Sequence, residues 1–497
     1  MAKKIFYWLD TTLLHFCLGH FIEQKIDCEN FAIIDIPEKP RDFFKSQNFL
    51  NLKKSWFFHD YIDVTKSKPD LEYISKFEKK YDINLWKLAL NDRLFFRFNK
   101  FYKFSRDEIL SIIEQECKLF EKILDECNPD FLIMKETFMH KDEIFYQMCI
   151  KRNVTPLILN QPNIGYRCMI SERLRHFDML DSLENIDGNG RTIEELQNLL
   201  NRLNLSNQAK IMINKSGTSK RGKFSAMFDY MKSNNNEIKT HYTYFGRNRL
   251  KVLYNEITHE LKRKSRKSFI DKNAITEVDL GEKFLYFPLA VEEERNILIS
   301  APFFTDQLEI IKNIAKSLPI DYKLYVKEAP GQAVRYWRPI SEYETIMDIP
   351  NVHLIHPSFS NVELIKNSSL VFTVSGSSGF EACFYNKPSI VFVDIGYSIL
   401  PSVFKIGEIE KLPELIQKAI NHKVDSKYLD RYMTYLENNS FEFDYMGYLT
   451  DELDHFYFGG SSQNVSISET KMEQFLENHQ NQFNFLADEF VKRLVTK

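Results

Sequence analysis

The sequence has few of the features that mark secreted, metal-binding or membrane-spanning proteins. Its seven cysteines are odd in number, scattered and never form a C-x-x-C pair, which argues against both a disulfide framework and a zinc site. No uncharged apolar run reaches the roughly 20 residues that a membrane-spanning helix needs. Low-complexity tracts are absent, and a formal net charge of -3 gives no global reason to expect nucleic-acid binding. We therefore expect a chain that folds throughout in a reducing cytoplasm.

The length of the chain and its first segment bear on domain organisation. At 497 residues the sequence is too long for one hydrophobic core, so two large domains are expected. Residues 1–22 open with an apolar run, but Asp10 and His15 interrupt it and no small-residue cleavage site follows. We interpret this segment as a first strand and helix rather than as a signal peptide.

Two stretches of the sequence alternate between short apolar runs and amphipathic segments. In residues 1–205 the predicted strands are KIFYWL, FAIIDI, FLIM and LILN, and a helix is predicted from Ser105 to Cys127 with Ser105 and Glu108 as its cap. In residues 276–440 the predicted strands are FLYFPLA, YKLYVK, VHLIH, LVFTV and SIVFVD. Strands that alternate with helices indicate parallel sheets. The predicted fold class is therefore α/β, with two doubly wound Rossmann-like domains.

The segments outside these two domains have a different character. Residues 206–275 are predicted to be a basic connector, since the stretch 205–275 holds sixteen Lys and Arg against five acidic residues. We interpret it either as an electropositive surface for anionic lipid or a phosphorylated acceptor, or as a solvated helical insert. Residues 441–497 are predicted to be a tail with one amphipathic helix, from Glu469 to about Val495, that packs across the domain junction.

The turn after the predicted strand LVFTV carries the clearest signal of a binding site. It consists of Ser375, Gly376, Ser377, Ser378 and Gly379, and Glu381 follows in the first turn of a predicted helix. Glycines permit close backbone approach and positive φ, serines cap and donate, and the free N–H groups of a helix start favour an anion. The turn therefore predicts a site for donor phosphate. The alternative is a tight turn that needs small residues for packing alone.

Two other strand ends carry polar residues. Lys327 and Glu328 end the predicted strand YVKE, where the lysine can neutralise phosphate and the carboxylate can accept from a sugar or ribose hydroxyl. His356 follows VHLI and is suited to contact a base or a phosphate. Ligands of a parallel sheet bind at the carboxyl ends of its strands, so the three strand ends are predicted to converge on one crevice. Surface or structural roles are the alternative for each residue.

The stretch from about Tyr286 to Val403 closely resembles the donor-binding half of capsular and surface polysaccharide biosynthesis proteins of the Kdo-transferase-like group. The segments that carry the resemblance are YFPLAVEEER, APFFTDQLEIIKNIAKSLP, LYVKEAP, NVHLIHPS, ELIKNSSLVFTVSGSSGFEA and NKPSIVF. The resemblance implies a GT-B fold, a nucleotide-sugar donor as substrate, no further cofactor, and transfer without a catalytic metal. Carried over onto this sequence, it implies that Lys327, Glu328 and the turn and helix from Ser375 to Glu381 hold the donor.

The sequence departs from that family pattern at two positions. Ala290 and Ala329 stand where such proteins often have histidines, and the second histidine is expected to contact the donor phosphate. Losing such a contact costs about 1.5 to 3 kcal/mol. The chain is therefore either weakened or repurposed, or it uses His356 or Arg335 instead.

The N-terminal half is expected to bind the acceptor and to supply a base for its hydroxyl proton. Asp10 and Glu136 follow predicted strands and are the predicted catalytic residues, Asp10 before Glu136, and Gln161 is placed for hydrogen bonding. A helix N-cap or a surface charge is the alternative for both carboxylates.

These observations predict a metal-independent glycosyltransferase that moves a sugar from a nucleotide-activated donor to a glycan or lipid-linked acceptor. A non-catalytic scaffold protein of a polysaccharide assembly complex and a nucleotide-sugar 2-epimerase are the alternatives. The expected location is the cytoplasm, and peripheral contact with anionic lipid at the inner face of the cytoplasmic membrane is the further option that the basic connector offers. No nucleic-acid partner is expected, because no reading motif accompanies the basic cluster KRKSRK.

Overall fold

The structure is a computed structural model of the chain. It describes residues 2–36, 39–66, 68–162, 164–174, 182–203, 241–335, 337–460 and 463–496. Residues 206–240 of the predicted basic connector lie outside this description.

The N-terminal domain is built on a seven-stranded sheet. Its strands are β1 (Lys3–Leu9), β2 (Cys28–Ile34), β3 (Leu52–Phe57), β4 (Phe131–Met134), β5 (Thr155–Asn160), β6 (Arg167–Ser171) and β13 (Phe441–Glu442). The strand order is β13-β6-β5-β4-β1-β2-β3. Strands β1 to β5 are parallel, and β6 is antiparallel to both of its neighbours.

The C-terminal domain is built on a six-stranded sheet in which all pairs are parallel. Its strands are β7 (Phe284–Pro288), β8 (Lys323–Lys327), β9 (Val352–Ile355), β10 (Leu370–Thr373), β11 (Ser389–Val391) and β12 (Val403–Lys405). The strand order is β12-β11-β10-β7-β8-β9. Both sheets thus have the 3-2-1-4-5 core order of a doubly wound Rossmann-like fold, which confirms the predicted fold class.

The helices follow local signals in the sequence. Helix α5 begins with a capping box, in which Ser105 Oγ accepts from the Glu108 N–H at 3.3 Å and Glu108 Oε2 accepts from the Ser105 N–H at 2.7 Å. The helices are α1 (Leu14–Glu23), α2 (Pro40–Ser46), α3 (Leu71–Tyr81), α4 (Leu85–Leu90), α5 (Arg106–Cys127), α6 (His140–Lys151), α7 (Ile193–Leu203), α8 (Arg249–Asn273), α9 (Arg295–Leu298), α10 (Gln307–Ser317), α11 (Pro330–Arg335), α12 (Ile340–Met347), α13 (Asn361–Asn367), α14 (Ser378–Cys383), α15 (Leu412–Ile420), α16 (Ser426–Asn438), α17 (Tyr445–Phe456), α18 (Glu469–Asn478) and α19 (Gln480–Thr496). Short 3-10 turns cover Phe58–Tyr61, Tyr242–Tyr244, Gly396–Ile399 and Ile409–Lys411.

The central strands are buried on both faces, because helices cover each sheet on both sides. In β1, Phe6 and Trp8 pack into one apolar cluster, while Ile5, Tyr7 and Leu9 pack into another on the opposite face. This alternation with a period of two is the expected consequence of strand geometry. It explains why the buried strands read as continuous apolar runs in the sequence.

The chain crosses between the domains more often than the predicted boundaries imply. Leu183 and Leu196 precede residue 205 but pack with Phe384 and Leu429 of the C-terminal domain. The tail returns to the N-terminal domain, where the Phe483 ring stacks on Phe21 with 5.6 Å between centroids. The prediction of a single tail helix is wrong: α18 and α19 are separate helices that break at His479, whose φ is -108°.

None of the helices in the described ranges is long and apolar enough to cross a membrane.

Candidate functional site

A cleft of about 610 Å³ lies between the two domains. Its N-terminal wall follows β1 and β4, and its C-terminal wall follows β7 and β10. In each sheet these are the two central strands at which the strand order reverses. The carboxyl ends of such strands form the crevice in which open α/β sheets bind ligands. The polar lining of the cleft includes His15, Lys135, Glu136, Asn160, Gln161, Arg295, Asn296, Ser375 and Ser377.

Asp10, the first predicted catalytic residue, lies at the end of β1 in an ion pair with Lys135. Its Oδ1 also accepts from the Thr12 N–H at 2.8 Å, and the residue is only 8 % exposed. Burial opposes the charge of Lys135, but the carboxylates of Asp10, Asp142 and Asp35, with Asp10 the strongest of them, hold the pKa of Lys135 above its usual value. Of this pair, Lys135 lines the cleft. Asp10 therefore serves the site at least as the counterion of Lys135.

His15, in the first turn of α1, lines the cleft between the same two strand ends. The imidazole is 2 % exposed, and within the described residues its Nε2 has no hydrogen-bond partner. Burial lowers the pKa of His15 to about 4, with Lys135 adding to the effect and Asp10 opposing it. His15 is therefore neutral near pH 7, and its Nε2 is buried without a hydrogen-bond partner among the described residues.

Glu136 and Arg295 face each other across the cleft, with 3.7 Å between Oε2 and Nη1. The Arg295 side chain is 8 % exposed and that of Glu136 is 39 % exposed. Arg295 also donates to Ser300 Oγ at 3.2 Å and to Thr137 Oγ1 at 3.4 Å. Its Nε has no hydrogen-bond partner in the described part of the chain. A buried guanidinium with a long ion pair and a spare N–H can take up an additional anion.

The predicted turn after β10 contributes Ser375, Gly376 and Ser377 to the cleft. Ser375 Oγ donates to the Asn296 carbonyl at 2.7 Å, which ties the turn to the residue that follows Arg295. The prediction that the serines cap the next helix is not met by Ser377, because its Oγ donates instead to Glu381 Oε1 at 2.8 Å. Burial raises the pKa of the Glu381 carboxyl. Ser378, Gly379 and Glu381 belong to α14, behind the lining residues.

The two glycines of the turn are required by crowding. Neither has a positive φ, so the prediction of positive φ in this turn is wrong. A Cβ on Gly379 would lie 2.8 Å from Tyr397 Oη and 3.0 Å from Thr373 Cγ2. A Cβ on Gly376 would lie 2.8 Å from Thr373 Oγ1, which accepts from the Gly376 N–H at 2.9 Å. Tyr397 also donates to the Gly376 carbonyl. The turn is thus packed tightly against strand β10 and against Tyr397, an aromatic residue that lines the cleft.

Lys327, Glu328 and His356 lie on the other side of β7 from the cleft, because β8 and β9 follow β7 away from the switch point. Lys327 Nζ donates to the Phe359 carbonyl at 2.5 Å and to Asn361 Oδ1 at 2.6 Å. Glu328 is 1 % exposed and accepts from Arg338 Nε at 2.8 Å. Their role in holding a donor stays a prediction.

The third of these residues, His356, contacts Ser358 Oγ at 2.7 Å and Asp271 Oδ1 at 3.2 Å. The Asp271 contact joins the end of β9 to helix α8. Three strand ends were predicted to converge on one crevice. The end of β10 lines the cleft, and the ends of β8 and β9 do not. The side chain of Arg335, the other suggested substitute for a family histidine, lies outside the described residues.

Sequence reasoning did not select His15, Lys135 or Arg295 as site residues. Lys135 directly follows β4, so the rule that selected Asp10 and Glu136 could have found it, whereas His15 lies six residues beyond β1 in helix α1. Arg295 lies seven residues beyond β7, at the start of the short helix α9, and no sequence pattern gives its position in the cleft. The aromatic wall was also missed: the Phe380 and Tyr432 rings, 5.5 Å apart, come from helices distant in sequence.

Among the described residues, no group of three or more His, Cys, Asp or Glu side chains is placed to hold a metal ion.

Two parallel-sheet domains of Rossmann type that face a shared cleft define a protein of the GT-B class. Residues 196–400 match the family model of the capsule polysaccharide biosynthesis protein. This stretch includes β7 to β11 and the turn from Ser375 to Gly379. The match overlaps the stretch 286–403 and confirms the resemblance to this family.

Solved structures with similar folds have low sequence identity to this chain. UDP-GlcNAc 2-epimerase from Methanocaldococcus jannaschii is 15% identical with a TM-score of 0.24, over 88% of this chain and 100% of that chain. Thermosulfurimonas dismutans KpsC, a beta Kdo 2,7 transferase, is 13% identical with a TM-score of 0.31, over 66% and 80%. Its beta Kdo 2,4 transferase is 12% identical with a TM-score of 0.27, over 61% and 79%. No curated protein matches the chain. The GT-B assignment therefore rests on the strand orders and the cleft.

Proposed function

We propose that this protein is a glycosyltransferase that moves a sugar from a nucleotide-activated donor to a glycan or lipid-linked acceptor in capsule or surface polysaccharide biosynthesis. The observation that carries the proposal is that the switch points of both sheets face one cleft, because each is the ligand-binding crevice of its sheet. A volume of about 610 Å³ is suitable for a ligand of nucleotide-sugar size. The family match over residues 196–400 supports the role in polysaccharide synthesis.

The donor phosphate is proposed to bind Arg295 beside Ser375 and Ser377. A guanidinium binds phosphate through two parallel hydrogen bonds, which are shorter and stronger than the 3.7 Å contact with Glu136. Phosphate would therefore displace Glu136 and engage the spare Nε. Lys135 on the opposite wall adds a second positive charge. Transfer without a catalytic metal, and without a cofactor besides the nucleotide-sugar substrate, stays a prediction.

Proton transfer is proposed to use His15 in preference to Asp10. In the reaction the acceptor oxygen bonds to the anomeric carbon, the bond from that carbon to the donor phosphate breaks, and the acceptor proton must be taken up. The neutral His15 imidazole is the form that accepts a proton, and its unpartnered Nε2 belongs to a residue that lines the cleft. Asp10 then stabilises the imidazolium that forms. Glu136, the other predicted catalytic carboxylate, lines the cleft.

A thermal-shift screen against CMP, UDP, GDP and their sugar conjugates tests the donor site. A ligand at about 100 times its Kd adds about 2.7 kcal/mol to the free energy of unfolding. We expect one nucleotide class to raise Tm, and Arg295→Met to abolish the shift. The matched control is Lys405→Met, because Lys405 is an exposed cation of the same domain that pairs with Asp394. The absence of a shift with every nucleotide would refute the proposal.

A nucleotide-sugar-binding protein without turnover is the second candidate, and Ala290 and Ala329 favour it. The Ala290 carbonyl accepts from Arg338 Nη2 at 2.8 Å and from Gln307 Nε2 at 3.0 Å, so this position is part of the internal packing. Nucleotide binding without transfer to any acceptor, and a gain of turnover in Ala290→His with Ala329→His, would support this candidate. Conversion of a free nucleotide sugar in the absence of acceptor would instead indicate the 2-epimerase.

A further inference from the structure

Helix α8 is held at both ends by the protein and exposed between them. Just before its N-terminus, Tyr242 and Phe245 pack into the N-terminal core, and near its C-terminus Ile270 packs into the C-terminal core. Along the helix, Lys100 Nζ and His259 Nε2 are 2.6 Å apart. A helix of 25 residues spans about 37 Å, so α8 bridges the two domains along one side of the molecule.

The outer face of α8 carries a row of exposed apolar side chains. Leu250 is 79 % exposed, Tyr254 68 %, Ile257 62 % and Leu261 63 %. Their spacing of four, three and four residues places all four on one helix face. Single exposed apolar residues are common, but a contiguous row of large ones on a soluble domain marks an interaction surface.

The same helix is strongly basic in a protein that is otherwise slightly acidic. Residues 249–273 contain eight Lys and Arg and three Asp and Glu, whereas the whole chain has a formal net charge of -3. Lys251 and Lys262 are exposed and lie along one flank of the apolar row. Lys264, also exposed, occupies the next position of the row itself, three residues after Leu261. Lysines thus border one flank of the apolar row and end it, while exposed Glu260 lies on the opposite flank.

We propose that this outer face of α8 docks on an anionic lipid surface. An apolar face bordered by lysines is the pattern of helices that lie in the plane of a membrane interface. The four apolar side chains would enter the boundary between headgroups and acyl chains, while Lys251, Lys262 and Lys264 bind lipid phosphates. A second copy of the helix fits less well, because a coiled-coil seam needs three or four heptads and this row ends after two at a charge. The proposal does not depend on nucleotide binding in the cleft.

Vesicle co-flotation of the full chain tests the docking surface. We expect binding to vesicles of phosphatidylcholine mixed with phosphatidylglycerol, weaker binding at high salt, and little binding to phosphatidylcholine alone. The variant L250S/Y254S/I257S/L261S should lose about tenfold or more in partition coefficient, because it removes the apolar contacts. Leu71→Ser is the matched control, since Leu71 is 48 % exposed on α3, and it should bind as the unchanged protein does.

A charge variant tests the lysines of the docking surface separately from its apolar row. K251E/K262E/K264E retains the apolar row and should lose the preference for phosphatidylglycerol. Tyr254→Trp should give a fluorescence contribution that brominated lipid quenches in the anionic vesicles alone. In all these variants the nucleotide-dependent thermal shift should be unchanged, so failure here is distinguishable from failure of the proposed function.

Four results would overturn the docking proposal. The first is no binding of the unchanged protein to anionic vesicles, and the second is binding that neither variant weakens. The third is concentration-dependent self-association that the apolar variant abolishes, which would assign the face to a second copy. The fourth is a large fall in Tm of the apolar variant without lipid, which would show that the chain itself covers the row.

Discussion

Arg295 of the C-terminal domain contacts Glu136 of the N-terminal domain across the cleft, with 3.7 Å between Nη1 and Oε2. The ligand that the cleft is proposed to bind also carries negative charge, so Glu136 and donor phosphate compete for the same guanidinium. The residue that is proposed to bind the donor therefore also links the two domains.

Glu136→Gln should tighten binding of the donor nucleotide. Partly exposed ion pairs contribute about 0.2 to 1 kcal/mol, so removing the competing carboxylate should lower Kd by about 1.4-fold to fivefold. Isothermal titration calorimetry at low salt measures the change. Glu408→Gln is the control, because Glu408 pairs with exposed Lys411 away from the lining residues, and it should leave Kd unaltered. Weaker binding in Glu136→Gln would show that Glu136 itself contacts the donor.

His15→Ala should lower kcat while leaving nucleotide affinity unchanged. A positioned general base contributes about a hundredfold to ten-thousandfold, so a loss in this range is expected. Because the pKa of His15 is lowered to about 4, kcat/KM of the unchanged protein should be flat near neutrality and fall only as the pH approaches that value. His422→Ala is the control, since His422 contacts the Phe404 ring on edge strand β12 of the C-terminal domain. An unchanged kcat in His15→Ala would return the role to Asp10 or Glu136.

Gly379→Ala should destabilise the C-terminal domain. Its added methyl group would lie 2.8 Å from Tyr397 Oη and 3.0 Å from Thr373 Cγ2, and such overpacking costs about 1 to 3 kcal/mol. Gly407→Ala is the control, because a Cβ there would meet nothing within 4 Å. Urea denaturation of both variants gives the difference. Equal midpoints would mean that the turn after β10 relaxes without cost.

Glu452→Gln should flatten the pH dependence of stability. Glu452 lies in α17, where its Oε2 accepts from Tyr448 Oη at 2.6 Å, and burial raises its pKa from 4.5 to about 8, with Asp10 adding to the effect. The folded pKa is above the unfolded one, so the contribution is fully present below about pH 4.5 and is lost as the pH rises through about 8. Thermal unfolding of Glu452→Gln across this interval should show a smaller decline in Tm. Exposed Glu473→Gln should decline as the unchanged protein does.

The positions of strands and helices along the chain could be predicted because local sequence patterns indicate them. The apolar run at residues 4–9, the capping box of Ser105 and Glu108 and the small residues from Ser375 to Gly379 each report their own backbone. These signals extend over a few residues and do not require knowledge of the fold. The fold class and nine of the thirteen strands in the described residues were therefore predicted correctly, whereas β3, β6, β12 and β13 were missed.

The composition of the cleft could be predicted only in part, because it depends on which strands are neighbours. A parallel strand ends at or just before each of Lys327, His356 and Ser375, and no local sequence pattern distinguishes these three positions. The position of β7 between β10 and β8 puts Ser375 at the cleft and the other two beyond it. The break at His479 was missed for a related reason, since the amphipathic pattern continues through it while the backbone does not.

The crossings of the chain between its domains have a consequence for biosynthesis. Domains usually fold as units while the chain is being made, beginning with the N-terminal one. Here the core of the N-terminal domain includes Phe475, Phe483 and Phe490 from α18 and α19, and strand β13 pairs with β6 at the edge of its sheet. The domain whose synthesis starts first therefore lacks part of its interior until α18 and α19 leave the ribosome, and the C-terminal domain can complete its own core earlier.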